Sequence, residues 1–159
     1  VDGRLHCWSL DFTKVKPFFS CRSHDGRVNA IVYQTTLGLI FSVGHDGVVI
    51  ASKLTFGAIE TVVAFKVEGT PRLTALCIVN EDQSGCKLGL GSTDGRVIVV
   101  RVTASEQGII SIAEECRLEV DGNPMIYSVC KCPAPSNDDS SPSILVGHAK
   151  GLIEWGLIS

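Results

Sequence analysis

The dipeptide Asp-Gly recurs along this chain, each time directly before a run of strand-forming residues. Three copies, Asp2-Gly3, Asp46-Gly47 and Asp94-Gly95, follow one another at a similar spacing, and Lys150-Gly151 fills the same slot in GHAKGLIEW. The successive intervals are 44, 48 and 56 residues. Glycine tolerates positive φ and aspartate bonds nearby backbone N–H groups, so the dipeptide is typical of a tight reversal between antiparallel strands. A reversal that returns at this period indicates a chain built from repeated units.

A second set of positions repeats in step with the first. The segments HDGRVNAIV (24–32), EGTPRLTALC (68–77) and DGNPMIYSVC (121–130) align without gaps through their later portions. A small residue follows the first strand residue at the same place in each, namely Ala30, Ala75 and Ser128. Two markers that keep step with each other make a chance repeat improbable.

The apolar runs are short, rich in Val, Ile and Thr, and interrupted every six to twelve residues by turn-forming residues. This pattern predicts an all-β fold with about four strands in each repeat, which is typical of one blade of a β-propeller. The one helix candidate, SEQGIISIAEECRLEV (105–120), starts with β-branched residues and is better interpreted as a strand with a loose lead-in. The predicted strands include 28–33, 39–43, 60–67, 73–79, 86–92 and 96–102.

This layout resembles the WD40-repeat family, whose units read GH, then a strand, then S-x-D-G-x-[IV]-x-x-W-D. His24 stands at the place of the family's histidine, Ser42 lies in the second strand and Asp46 lies in the turn. The resemblance implies that these three side chains form part of the family's His–Ser–Asp–Trp hydrogen-bond chain. The tryptophan slot of this unit holds Ser52.

The other units keep less of the same pattern. The first partial unit retains Asp2 and Trp8, six residues apart as the pattern requires. The last unit has Trp155, one place early, and a lysine in place of the aspartate. The third unit has Asp94, with Leu90 and Val100 where serine and tryptophan belong. Replacing both polar partners with apolar residues avoids leaving one of them unpaired in the interior.

The sequence therefore predicts a WD40-like propeller of four-stranded antiparallel blades, with about three blades and a partial one in this chain. The predicted units are a partial blade with the third and outer strands at 1–23, blades at 24–57 and 58–104, and a last blade at 105–159. The last blade carries a Pro-, Ser- and Asp-rich insertion near 132–143, for which we predict disorder. Closed rings need about four to eight blades, so the remaining blades are expected from the same longer chain or from another subunit.

Composition narrows the classes of partner. Apolar residues make up 45% of the chain and charged residues 19%, with a net charge of −3 and no polybasic block, which argues against nucleic-acid binding. No apolar run approaches the roughly 20 residues that span a bilayer, and no signal peptide is visible. The seven cysteines fall mostly inside apolar runs, as reduced thiols do. These features predict an intracellular protein, cytoplasmic or nuclear, without a membrane partner.

The chain offers little chemistry for catalysis. None of the four histidines has a serine or cysteine beside it in a nucleophile context. Cys130 and Cys132 have no second pair at zinc-ligand spacing, so no metal site is predicted. The glycines at 89 and 91 precede a strand and not a helix, which excludes a phosphate-binding loop. We therefore predict neither an enzyme nor a cofactor.

What remains is recognition of another protein or peptide. In propellers of the resembling kind, partners dock on the face built from the loops that enter the first strands and from the Asp-Gly turns. Arg27 and Arg72 occupy equivalent slots there, and such a pair suits an acidic or phosphorylated segment. The candidate partner-binding residues are His24, Arg27, His45, Thr70, Arg72, Thr93, Asn123, Met125 and His148.

Two alternatives to a scaffold stay open. The segment HDGVVIASKLTFGAIETV (45–62) is similar to the quinoprotein-like repeat, with Ala51 and Gly57 in place, and this would imply a PQQ-type enzyme propeller. The other units do not keep that glycine. The second alternative is a structural segment that completes a partner's propeller ring.

Overall fold

All regular secondary structure in the described residues is β-strand. The structure is a computed structural model, and it describes residues 2–8, 17–132, 143–151 and 153–157. Within these residues, thirteen strands form four antiparallel sheets of two, four, four and three strands, and none of the residues is helical. Within each sheet, hydrogen bonds join strands that are consecutive in the chain. The prediction of an all-β antiparallel fold is confirmed. The predicted insertion lies almost entirely outside the described residues.

The four sheets follow one another along the chain. The first contains β1 (Arg4–Cys7) and β2 (Phe19–Arg22). The second contains β3 (Val28–Gln34), β4 (Leu39–Gly44), β5 (Val48–Thr55) and β6 (Ala58–Lys66). The third contains β7 (Leu73–Asp82), β8 (Gly85–Ser92), β9 (Arg96–Ala104) and β10 (Ile110–Glu119). The fourth contains β11 (Ile126–Cys132), β12 (Ser143–His148) and β13 (Ile153–Leu157).

The sheets divide the chain at other places than the predicted units do. Strand β6 hydrogen-bonds to β5, and β10 hydrogen-bonds to β9, so two of the sheets end at Lys66 and Glu119 instead of at residues 57 and 104. The spacing of strands along a sequence does not reveal whether a strand pairs with the one before it or the one after it. The segment 105–120, predicted as a strand with a loose lead-in, contains β10 as expected.

Consecutive sheets pack face to face, and the third sheet is covered on both sides. Alternate residues of β9 therefore enter two different cores: Ile98 and Val100 face the second sheet, while Val97 and Val99 face the fourth. A strand segment buried on both faces needs apolar side chains at every position. This explains the four consecutive apolar residues at 97–100. The fully buried side chains of the two cores include Phe41, Val43, Val49, Leu73, Leu88, Leu90, Ile126 and Ile144.

The glycines of β8 set the distance between the third and fourth sheets. A Cβ atom at Gly91 would lie 2.4 Å from Cγ2 of Ile126, and one at Gly89 would lie 3.0 Å from Cδ1 of Ile144. Only a residue without a side chain lets the sheets approach this closely. The motif KLGLGS thus has a packing role, with its leucines in one core and its glycines against the other.

The first strands of successive sheets lie side by side and are joined by side chains. The Nδ2 of Asn29, in β3, donates to the carbonyl oxygen of Leu73 at 2.5 Å, and the hydroxyl of Thr74, in β7, donates to that of Ile126 at 2.5 Å. Each of these strands also has a bulge at its second residue, at Asn29, Thr74 and Tyr127. A bulge redirects a side chain out of the regular alternation. The bulges of β3 and β7 thus aim a polar side chain at the neighbouring sheet.

Candidate functional site

The loops that enter the first strands and the Asp-Gly turns meet along one edge of the molecule, which we call the loop edge. It is built by three equivalent backbone hydrogen bonds. The N–H groups of His45 and Thr93 donate to the carbonyls of Arg27 and Arg72 at 2.9 and 3.1 Å, and Ala149 donates to Met125 at 2.9 Å. Each bond holds a turn against the loop residue that lies two places before the bulge of the first strand. The segments that the sequence predicted to be equivalent are thereby brought to one edge.

The glycine of each Asp-Gly turn packs against the loop that leads into the next sheet. The carbonyls of Gly47 and Gly95 accept from the N–H groups of Val67 and Val120 at 3.1 and 2.9 Å. Gly95 has a φ of 77°, and a Cβ atom there would lie 2.5 Å from the Cα of Asn123. The dipeptide therefore recurs for two reasons, which are the left-handed backbone and this close approach.

Arg27 and Arg72 differ from the other arginines of the chain in their electrostatic surroundings. Both are exposed, and neither forms an ion pair within 4.0 Å of any described residue. The remaining five arginines each pair with a carboxylate at 3.4 Å or less: Arg4, Arg22, Arg96, Arg101 and Arg117. The loop edge thus presents two guanidinium groups whose charge is not neutralised by the rest of the described chain.

Three of the predicted partner-binding residues are corrected by their burial. The relative exposures of His24, Thr70 and His148 are 1%, 4% and 5%, so their side chains do not face a partner. The backbone bonds place Ala149, and not His148, at the position equivalent to His45. The other six residues lie at the loop edge with exposed or partly exposed side chains: Arg27, His45, Arg72, Thr93, Asn123 and Met125.

His24 instead forms the centre of a buried polar network. Its Nδ1 lies 3.0 Å from both carboxylate oxygens of Asp46, and its Nε2 lies 2.8 Å from the Oγ of Ser42. A carboxylate only accepts, so Nδ1 carries a proton and donates to Asp46. Asp46 also accepts from the backbone N–H groups of Asp25 at 2.9 Å and Val48 at 3.2 Å. The network ties the turn after β4 to the loop before β3.

The surroundings of Asp46 favour its charged form. Burial by itself would raise the pKa of Asp46, but the hydrogen bond from His24 and those from the backbone N–H groups outweigh it and hold the pKa below its ordinary value. The connectivity Ser42–His24–Asp46 is that of a hydrolytic triad. Ser42 has no accessible surface, so no substrate reaches its hydroxyl, and the network stabilises the fold.

The remaining residues predicted for the turns have separate surroundings. Asp2 accepts from the N–H of Arg4 at 3.3 Å, and Asp94 accepts from Ser92 at 2.5 Å. Trp8 is half exposed, at 52%. Trp155 falls within β13, but its side chain lies outside the described part of the structure. Ser52, in the predicted tryptophan slot, is fully buried, and its Oγ has no hydrogen-bond partner among the described residues.

The sequence interpretation missed the side chains that join the sheets. Asn29 and Thr74 were not singled out, although both are polar residues at the same place in the repeat. Arg96 also joins two segments, because its Nη1 donates to the carbonyl of Gly69 at 2.6 Å and pairs with Asp94 at 3.1 Å. The sequence did contain a signal for Asn29 and Thr74, namely a polar residue at the same position of two repeats.

Neither a metal centre nor a membrane-spanning helix is found within the described ranges. These residues contain no group of three or more His, Cys, Asp or Glu side chains that could hold a metal ion. They also contain no helix with the length and apolar character needed to cross a bilayer.

No protein-family model and no curated protein matches the sequence. Function is therefore inferred from the geometry of the loop edge and of the sheets that carry it.

Proposed function

We propose that this chain is a segment of a WD40-like β-propeller and acts as a non-catalytic scaffold for other proteins. In this proposal, the loop edge binds an acidic or phosphorylated peptide of a protein partner. Arg27 and Arg72 supply the charge that holds the peptide, and the exposed side chains beside them supply the surrounding contacts.

The packing of the sheets supports the propeller architecture. The first strands contact each other, β3 with β7 and β7 with β11, and the last strands contact each other as well, β2 with β6 and β6 with β10. Sheets stacked in chain order with their first strands together are what a propeller requires. The His24–Ser42–Asp46 network supports the WD40-like type of propeller, since it joins three side chains that the resemblance had placed in one hydrogen-bond chain.

The single observation that carries the binding proposal is the pair of unneutralised arginines. The carbonyls of Arg27 and Arg72 accept equivalent hydrogen bonds from the backbone N–H groups of His45 and Thr93. The hydrogen bond from the Asn29 side chain to the carbonyl of Leu73 joins β3 and β7, the strands that follow the two arginines. Arg27 and Arg72 therefore lie directly before two neighbouring strands at the same edge, and both side chains are exposed. Arginine binds carboxylate and phosphate groups in a bidentate manner, and a repeated pair favours a partner that carries more than one such group.

A peptide array with matched charge variants tests this proposal. Fluorescent peptides that carry phosphoserine, Asp or Glu are compared with their Ser, Asn and Gln counterparts for binding to the 159-residue chain. We expect the acidic or phosphorylated members to bind, and the double variant Arg27→Glu with Arg72→Glu to weaken that binding at least tenfold, because both contacts are lost and replaced by repulsion.

The matched control is Arg101→Glu with Lys131→Glu, which changes the net charge equally at two exposed cations of the third and fourth sheets, outside the loop edge. This control should bind within twofold of the unmodified chain. Equal losses in both double variants would mean that overall charge, and not the loop edge, attracts the peptides. Unchanged binding in the arginine variant would refute the assignment of the binding surface.

A further inference from the structure

A second candidate surface lies at the end of the sheets opposite to the loop edge. A cleft of about 200 Å³ opens there between the second and third sheets. Its walls include Leu37, Leu39 and Val62 from the second sheet, Ala104 and Ile110 from the third, and the stem of Lys53. The cleft is smaller than the roughly 300–1,000 Å³ typical of small-molecule pockets. Its size suits one large apolar side chain and not a cofactor.

The walls of the cleft are held in place by hydrogen bonds. In the turn after β9, the N–H groups of Ser105 and Gly108 donate to the carbonyls of Ile109 and Ser105 at 2.9 and 2.8 Å. The N–H of Ile109 donates to Ser105 Oγ at 3.1 Å. On the other side, the fully buried Gln34 accepts from the N–H of Leu37 at 2.7 Å and donates to Glu81 of the third sheet at 3.1 Å. The cleft therefore exists before any ligand arrives.

Large apolar side chains are exposed on both sides of the cleft. Phe56, at the tip of the β5–β6 hairpin, has no contact that shields it from solvent, and Val62 on the same hairpin is 42% exposed. Ile109, on the turn of the third sheet, is 63% exposed. Exposed apolar residues gathered around an apolar cleft are characteristic of a surface that binds another protein.

The charge beside the cleft identifies the kind of partner. Lys53 follows Val49 and Ala51 in the alternation that faces the third sheet, so its side chain lies at the open end of that core. It forms no ion pair with the described residues, and the carboxylate of its cross-strand neighbour Glu60 accepts from the Thr55 hydroxyl at 3.1 Å. An ammonium without a carboxylate partner next to an apolar cleft complements a ligand that is apolar and acidic at adjacent positions.

We propose that this cleft binds a short peptide segment of a partner protein, in which an apolar side chain enters the cleft and a neighbouring carboxylate pairs with Lys53. The loop edge and the cleft lie at opposite ends of β3, since Arg27 precedes that strand and Leu37 follows it. The two surfaces can be occupied together. The molecule would then hold two segments at once, which is a capacity that the loop edge alone does not give.

Selection of peptides on a loop-edge variant tests the cleft independently. Phage-displayed random octapeptides are selected on the immobilised chain that carries Arg27→Glu and Arg72→Glu, so that loop-edge ligands do not contribute. We expect the selected peptides to contain Leu, Ile, Phe or Met within two residues of Asp or Glu. Fluorescein-labelled copies should bind the unmodified chain with the same affinity as the selection variant, measured by fluorescence polarisation.

Three single variants locate the contact. Lys53→Glu and Val62→Asp should each weaken binding at least tenfold, while Lys131→Glu, an exposed lysine of the fourth sheet, should change it less than twofold. A peptide whose acidic residue is replaced with lysine should regain affinity for Lys53→Glu, a result that misfolding cannot produce. Far-ultraviolet circular dichroism verifies that each variant keeps its strand content.

The proposal is overturned by any of three results. These are the absence of an enriched apolar–acidic motif, equal losses in Lys53→Glu and Lys131→Glu, and no recovery of affinity in the charge exchange. None of them depends on whether the loop edge binds acidic peptides, so the two proposals succeed or fail separately.

Discussion

The second and third sheets contain the same Asp-Gly turn, but they stabilise it by different means. In the second sheet, His24 is 1% exposed and bonds Asp46 from the interior. In the third sheet, the position that corresponds to Ser42 is Leu90, four residues before the aspartate, and it is buried in the core. Asp94 is bonded instead by the fully buried Ser92 hydroxyl of its own turn and by the partly exposed guanidinium of Arg96.

The difference shows that one backbone turn tolerates two kinds of interior. A buried polar network stabilises a fold only when all of its members are paired. A buried polar group without a partner lowers the stability by its desolvation free energy, because no hydrogen bond offsets that cost. In the third sheet, Leu90 replaces the inner hydroxyl, and the buried hydroxyl of Ser92 is paired with Asp94 within the turn itself. The second sheet keeps the network, and its buried Ser52 hydroxyl finds no hydrogen-bond partner in the described part of the chain.

The comparison predicts its largest effect at His24. His24→Ala leaves both Ser42 and Asp46 without their buried partner, and we expect the free energy of unfolding to fall by about 2–4 kcal/mol. Guanidinium denaturation monitored by circular dichroism measures this change. In Arg96→Ala, the corresponding exposed contact of the third sheet is lost, and the expected decrease is below about 1 kcal/mol. Equal losses in the two variants would show that the interior network has no special weight.

A smaller effect is expected from acid, and it should originate in the second sheet. The folded-state pKa of Asp46 lies below its ordinary value of 3.8, so its contribution to stability is complete above that value and is lost as pH falls through the folded-state pKa. Urea denaturation at pH 6, 4 and 3 should therefore show a steeper decrease for the unmodified chain than for Asp46→Asn. Parallel curves for the two proteins would contradict this assignment.

The smallest effect has the opposite sign. Ser52→Ala removes a buried hydroxyl that has no partner within the described ranges, and we expect the free energy of unfolding to rise by about 0.5–1 kcal/mol. Thermal unfolding followed by circular dichroism detects this as a higher midpoint. Ser42→Ala is the matched control, because the Ser42 hydroxyl is paired with His24 and its removal should lower the midpoint. A lower midpoint in both variants would mean that Ser52 has a contact that the geometry does not reveal.

Local patterns in the sequence were sufficient to predict the strands and the turns. The run 96–102 became β9 (Arg96–Ala104), because β-branched residues in alternating or continuous apolar runs fit a buried pleated surface. The glycines of the Asp-Gly turns have positive φ, for example 67° at Gly47. These features depend on residues close together in the chain.

Contacts between distant residues were harder to predict. Whether the strand at 58–66 joins the sheet before it or after it depends on pairing over the whole sheet, and the turn spacing is compatible with both. The burial of Thr70 and His148 likewise depends on how closely the next loop packs. That Arg27 and Arg72 form no ion pair with the described residues is a property of the folded surface. The composition, with 14 basic and 17 acidic residues, gives no indication of which cations lack a partner.

The acceptors of the Asn29 and Thr74 side chains have a consequence for the history of the chain. Both side chains recognise a main-chain oxygen, and such an oxygen is the same whichever amino acid carries it. A neighbouring unit can therefore accumulate substitutions at that position, or be exchanged for a different unit in a chimaera. The hydrogen bond that joins the two units is kept in both cases. Duplicated units could diverge to the degree seen in this sequence and still assemble in order.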